Sequence, residues 1–487
     1  MRKILVVFVA VCGSWMAARF VGAQTQVGIP FQDQKGYILE LRGAERRMVL
    51  DLGENQITSD VSAEMEIAPQ VTVVGPKGVP LDATALRTGL EVNVSGERLG
   101  GRLVAKTIRV LTEIADDKVK VSGVFEKLDG QVATVGGELV SLGEGVSVIG
   151  TNEWKGMTFA SFNDMMLGSF VELEGKRGSD GLIRAAKAET WPNLFTKAEV
   201  ELRKQVGQGL TLPAANQLSG AKVAIGGQEY KLVQDLNIQA YVTRIGYKLI
   251  PGYVRDLPAD DPGKVTFRFY VIEDPTFNAC AYPDGSVFVH TGLLTVLENE
   301  AQLAAVLGHE IAHVTYEHGR QQFQTGKKVE TGKKAVEIAG NVLDKMGKFN
   351  PFKKKASIAG TEVSLTDAIN FGTGLFSNIY SRQMEDQADQ VGLFYMHEAG
   401  YDPREAPKVW RKIVDLTGDQ SRLEEVKDNV KTFLYSSHPA AKARLSNLNR
   451  EIALHWHDTD FSTAVIGEES YHKALSPKAT TAKKGAR

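Results

Sequence analysis

Short alternations of apolar and polar residues, punctuated by glycine, fill the chain from about residue 31 to residue 197. Runs such as Val71-Thr72-Val73-Val74 and Val119-Lys120-Val121 have the period of two expected of half-buried strands. One string occurs twice. Gly89-Leu90-Glu91-Val92-Asn93-Val94-Ser95-Gly96 returns as Gly168-Ser169-Phe170-Val171-Glu172-Leu173-Glu174-Gly175. Leu103-Val104 returns at the same offset as Leu182-Ile183. Each copy follows hairpin-like sequence, as in 121–140 with its Asp129-Gly130 turn.

From about residue 196 the period lengthens. Val233, Leu236, Ile238, Val242, Ile245 and Leu249 are spaced as on one helix face, which predicts a helix over 233–249. Residues 264–272 and 286–289 read as strands. Helices are then expected over 294–317, over a basic amphipathic stretch at 333–346, and over 365–398 with a break at 372–374. Gly400 stops the last of these, Asp402-Pro403 opens another, and Pro439 begins a helix reaching 455. The expected architecture is multidomain. Two OB-like β-barrel repeats, at 26–115 and 116–197, precede a mainly α domain with a small β-sheet at 198–458. Residues 459–487 read as a flexible tail, rich in Lys, Ala and Thr from 476 onward.

Composition changes this picture little. A hydrophobic share of 43% and a charged share of 24% describe an ordinary folded chain, and a net charge of -2 gives no reason to expect nucleic acid. The beginning is more informative. Arg2 and Lys3 precede an apolar run at 4–18, and Val21-Gly22-Ala23 before Gln24 forms a small-residue cleavage site. The run falls short of the ~20 residues a spanning helix needs, so residues 1–23 read as a signal peptide and the protein as exported, to the periplasm or outside the cell. Cleavage there leaves Cys280 as the one remaining cysteine, which excludes an internal disulfide.

The decisive motif is His309-Glu310-Ile311-Ala312-His313. Two histidines four apart on a helix lie one turn apart on one face, so both imidazoles can reach one ion. Glu310 adjoins that face, where its carboxylate can accept a proton from a metal-bound water. Leu303, Ala304, Val306, Leu307, Ile311, Ala312 and Val314 surround nearly the whole circumference, so the helix is buried. Burying two histidines and a glutamate there is costly unless they coordinate something. A catalytic zinc needs a third protein ligand and an open position. Glu385 is the best candidate: it shares a helix face with Asp389, and small Ala388 permits close approach to the histidine helix. Asp389 is then placed to orient a ligating histidine through its other ring nitrogen. A purely structural zinc would call for a closed, cysteine-rich ligand set, which this chain lacks.

Together these segments resemble the HtpX-type zinc peptidases, a family that includes the CAAX prenyl endopeptidases. The resemblance spans roughly 198–456. It rests on His309–His313, on Glu385 with Asp389, on the segment Asn278-Ala279-Cys280-Ala281-Tyr282-Pro283-Asp284-Gly285-Ser286, and on Ser437-His438-Pro439 with Arg444. Asp284 departs from the usual glycine. The resemblance implies a zincin-type endopeptidase domain with one Zn2+ on His309, His313 and Glu385, and Glu310 as general base. It further implies an edge strand at 278–289 that pairs with an extended substrate, with Asn278, Ala279 and Ser286 in contact. His438, at the start of a helix, would approach the metal, and Arg444 would contact the site or pair with a carboxylate. The implied partners are polypeptides, envelope or misfolded proteins among them. An alternative is a latched peptidase in which His438 fills the open position and the β-modules recruit envelope proteins. Lys333-Lys334 and the lysines at 353–355 flank a stretch that reads as a lid over the cleft, or as a surface meeting membrane or a partner.

Overall fold

The computed structural model describes residues 28–53, 61–113, 118–178, 180–192, 197–214, 216–225, 228–261, 263–319, 321, 355–358, 361–364, 380–418 and 441–476. Residues 1–23, expected to be a signal peptide, the expected amphipathic stretch at 333–346 and His438 lie outside the described residues.

Strands β1 (Ile29–Arg42), β2 (Arg47–Asp51), β3 (Ser62–Val74), β4 (Pro80–Leu81), β5 (Leu90–Leu99) and β6 (Arg102–Glu113) form one sheet. Its order is β2-β1-β5-β6-β3-β4, and β2 pairs as well with β3. The second sheet holds β7 (Lys118–Asp129), β8 (Val132–Val135), β9 (Glu138–Leu142), β10 (Val148–Gly150), β11 (Thr158–Phe159), β12 (Phe170–Arg177) and β13 (Ile183–Trp191). Its order is β11-β10-β13-β12-β7-β8-β9, with β13 also pairing with β9. The two sheets repeat one scheme: β3 runs parallel to β6 as β9 does to β13, and β5 pairs with β1 as β12 does with β7.

The repeated string has a physical cause in this scheme. Gly89 and Gly168 enter β5 and β12 at φ of +88° and +87°, a region that favours glycine. Gly96 and Gly175 sit where the β5–β6 and β12–β13 registers shift. A Cβ would overlap the Val104 carbonyl oxygen at the first and that of Arg184 at the second, so both bulges exclude a side chain. Each sheet covers its own apolar cluster. Ile38, Leu50, Val92 and Ile108 are fully buried in one, Val140, Val171 and Ile183 in the other. Each such side chain contributes about 1.5–3 kcal/mol.

The helical part follows. It comprises α1 (Lys197–Gly209), the hairpin β14 (Lys222–Ile225) and β15 (Gln228–Lys231), α2 (Leu236–Leu249) and α3 (Gly252–Arg255). A three-stranded sheet of β16 (Arg268–Ile272), β17 (Ala279–Ala281) and β18 (Ser286–His290) leads into α4 (Thr291–Val296) and α5 (Glu300–Thr315). Then come α6 (Arg382–Glu398), α7 (Ala406–Gly418), α8 (Ala441–Trp456) and α9 (Glu468–Leu475). Polar caps set several boundaries that periodicity misplaces. Asp235 accepts from Asn237 N and starts α2 three residues late. Asn299 accepts from Gln302 N, so the expected helix over 294–317 is two helices, α4 and α5.

The tail is a further correction. Residues 461–475 pack against the domain instead of trailing from it. Ala301 N donates to Ile466 O, and the buried Tyr471 donates its hydroxyl to Leu294 O at 2.7 Å. Tyr471 is an aromatic in a polar segment, and a composition-based reading passes over it. Among the described residues no helix is long and apolar enough to cross a membrane.

Candidate metal centre

Helix α5 is buried on almost every side, with Leu303, Ala304, Leu307, Ile311 and Ala312 fully enclosed. His309, Glu310 and His313 are buried with them. Helix α6 crosses close by because glycines face each other. A Cβ at Gly308 would lie 3.0 Å from Gly392 O, and one at Gly392 would lie 2.9 Å from His309 N. Ala388 is buried as well, but the helix approach turns on these two glycines. Their placement inside helical pattern was the sequence signal. Ser381 caps α6, accepting from Met384 N, and so puts Glu385 in the first turn, where the helix dipole favours a carboxylate.

The donors converge. His309 Nε2 lies 3.0 Å from His313 Nε2, and the two are 3.5 and 3.6 Å from the Glu385 carboxylate oxygens. All three donor atoms fall within 4.8 Å of one another. Two donors held at zinc's usual bond lengths in a tetrahedral shell are about 3.3 Å apart, so the three side chains fit one ion. A second group, Glu138, Glu451 and His455, gathers between β9 and α8. There Arg177 already donates to both oxygens of Glu138, at 2.7 Å each.

The outer partners are equally defined. Asp389 Oδ1 lies 3.0 Å from His309 Nδ1. Arg444, on α8 and 2% exposed, donates to both Asp389 oxygens, and its Nη1 lies 3.0 Å from Glu385 Oε2. Its guanidinium stacks 3.7 Å over the Trp410 ring. Burial and the Arg444 cation push the His309 imidazolium down, but hydrogen bonds to Asp389 and Glu385 outweigh them and raise its pKa to about 9. A metal ion held on His309 would take the place of that proton.

His313 is held by a residue that spacing does not reveal. Glu317 adopts φ +53° after α5 and turns the chain back, bringing His318 Nδ1 to 2.9 Å from His313 Nδ1. His318 is completely buried, which lowers its imidazolium pKa to about 4 and keeps the ring neutral at pH 7. Its Nε2 lies 3.0 Å from Gln387 Oε1. Tyr380 stacks on His313 with ring centroids 4.0 Å apart.

The expected substrate segment is divided. In the order β16-β18-β17, Ala279 lies on the edge strand β17 and lines a cavity with Val306, His309, Glu310, Trp410 and Arg444. Asn278 gives its carbonyl to His290 N, and its side-chain oxygen is buried with no hydrogen-bond partner among the described residues. Ser286 is a correction. It sits in the central strand β18, fully buried, with its hydroxyl donating to Asp284 Oδ2 at 2.9 Å, so it cannot face an added strand.

This arrangement of two helices and a buried arginine falls inside a segment with known counterparts. Residues 238–452 match the sequence profile of Peptidase family M48. Over 265 residues the chain is 26% identical to the beta-barrel assembly-enhancing protease of Escherichia coli (strain K12), covering 54% of this chain and 47% of that one. It is 27% identical over 231 residues to the mitochondrial metalloendopeptidase OMA1 of Schizosaccharomyces pombe, covering 45% and 60%. The OMA1 of Arabidopsis thaliana is 29% identical over 181 residues, covering 37% and 30%. The chain thus spans about half the length of the first of these relatives. His309, His313 and Glu385, with Asp389 and Arg444 around them, all lie within the matched segment.

Proposed function

We propose that the chain is an exported zinc-dependent endopeptidase of the M48 type, cleaving envelope or misfolded polypeptides. The observation that carries this reading is the convergence of His309, His313 and Glu385 in a buried pocket with Glu310 on the same helix. Those three side chains would hold the ion. Bound zinc polarises a carbonyl and acidifies water.

The remaining work falls to the chain's own groups. Glu310, buried beside the ligands, takes the proton of the attacking water and passes it to the leaving amine. Asp389 accepts from His309 Nδ1–H and so leaves Nε2 free to ligate. Arg444 holds Asp389 and Glu385 in place. An extended substrate adds to the edge strand β17, where Ala279 lines the cavity beside His309 and Glu310.

The N-terminal sheets we read as two OB-like barrel modules at 26–115 and 116–197. The pairings that bring an end strand of each sheet back onto an inner one, β2 onto β3 and β9 onto β13, support this. The leader-like first 23 residues support export, and the Escherichia coli relative, named for enhancing beta-barrel assembly, supports work on envelope proteins.

Glu310→Gln should retain zinc and lose at least about 10²-fold of the cleavage rate on casein. Wild-type cleavage by that variant would sink the assignment.

A further inference from the structure

The second β-sheet reaches the metal centre through a line of polar contacts that runs inward from the exposed Ser122 to the buried His318 and His313, and each atom in it has one possible role. Gln387 Nε2 lies 3.0 Å from the backbone carbonyl oxygen of Ser122, in β7. A carbonyl only accepts, so the amide must present its NH2 end to Ser122 and its oxygen to His318. That oxygen, 3.0 Å from His318 Nε2, also only accepts, which places the His318 proton on Nε2. A neutral imidazole carries one proton, so His318 Nδ1 is bare. It can therefore only accept from His313 Nδ1, 2.9 Å away, and the His313 proton sits there. His313 Nε2, the atom facing His309 and Glu385, is left with its lone pair.

We propose that His318 and Gln387 form a tautomer relay by which the second β-sheet fixes His313 in its metal-binding form. His318 is a positioning residue: it acts through His313 and touches no reacting atom. The two ligand histidines are then oriented by different means. His309 has a carboxylate, Asp389, on the neighbouring helix. His313 has a neutral ring whose polarity is set by a strand carbonyl more than 190 residues earlier in the chain. The relay gives the β-sheet a role in metal retention that needs no contact with substrate. It rests on the zinc-site reading above.

The test is zinc affinity, measured on the full chain by competition with a chromophoric chelator. In His318→Asn the amide oxygen takes the place of Nδ1 and can still accept. His318→Phe keeps the ring's bulk without an acceptor. His318→Gln places its amide where Nε2 was and leaves the Nδ1 position empty, which covers the case in which the Phe variant fails to fold. Loss of an outer-shell partner weakens binding by about 10–100-fold. We expect that loss in His318→Phe and His318→Gln, and affinity within about threefold of wild type in His318→Asn. Equal affinity in all three variants, or an Asn variant as weak as the others, overturns the relay. Wild-type protein that takes up no zinc removes the site reading and the relay together. Wild-type protein that holds zinc while His318→Phe is indifferent removes the relay alone.

Discussion

The two N-terminal sheets share one strand-pairing scheme and one glycine string, yet they meet the helical domain in different ways. The first meets it mainly along α8, and Val61, just before β3, joins the helical domain's apolar core. Its buried Asp51, at the end of β2, accepts from Ser446 Oγ at 2.7 Å and from Arg450 Nε, both on α8. Tyr37 stacks under the Arg450 guanidinium. The second sheet reaches inside. Ser122 O receives Gln387, and the Glu126 carboxyl receives the Tyr316 hydroxyl at 2.7 Å, just past the end of α5. Val124 belongs to the helical domain's own apolar core. The two sheets are thus similar scaffolds, and in the second of them β7 supplies the carbonyl and the carboxyl that meet the helices of the candidate metal ligands.

If that division is right, damage to the first contact should cost stability and leave the metal alone. Asp51→Ala strips a fully buried carboxylate from Ser446 and Arg450, with an expected loss of about 3 kcal/mol in urea unfolding. Zinc affinity should not change. A drop in affinity with stability intact would erase the distinction between the sheets.

The second contact carries a pH signature. Burial raises the Glu126 pKa from 4.5 to about 8, against hydrogen bonds from Tyr316 and Gly137 N that lower it. The folded protein therefore binds a proton there that the unfolded chain has released. This contribution to stability is fully present below pH 4.5 and is lost as pH rises through about 8. Its slope is at most about 1.4 kcal/mol per pH unit. Glu126→Gln removes it, so the variant should gain on wild type in unfolding free energy between pH 5 and pH 8.5. Parallel pH profiles for the two proteins would refute the buried-acid reading.

The sequence made some of this legible and hid the rest for identifiable reasons. His309, Glu310 and His313 could be read because four-residue spacing on an apolar helix is a local property. The repeated sheet scheme could be read because Gly96 and Gly175 sit where a Cβ would overlap a carbonyl oxygen, while Gly89 and Gly168 hold a positive φ that favours glycine. Glu385 needed the resemblance, since a carboxylate in a helix's first turn is an ordinary cap. His318 escaped because its partners are His313, reached only through the left-handed turn at Glu317, and Gln387, 69 residues away. Ser286 lies apart from the edge because the segment that the resemblance treats as one edge strand, 278–289, folds into two strands, and β18 is the central one.

The central claim is that His309, His313 and Glu385 make one zinc site. Elemental analysis of purified wild type and Glu385→Ala, dialysed at matched concentration, tests it most directly. The account predicts one zinc per chain in the wild type and a small fraction of that in the variant. A full complement of zinc in Glu385→Ala, or none in the wild type, would contradict it.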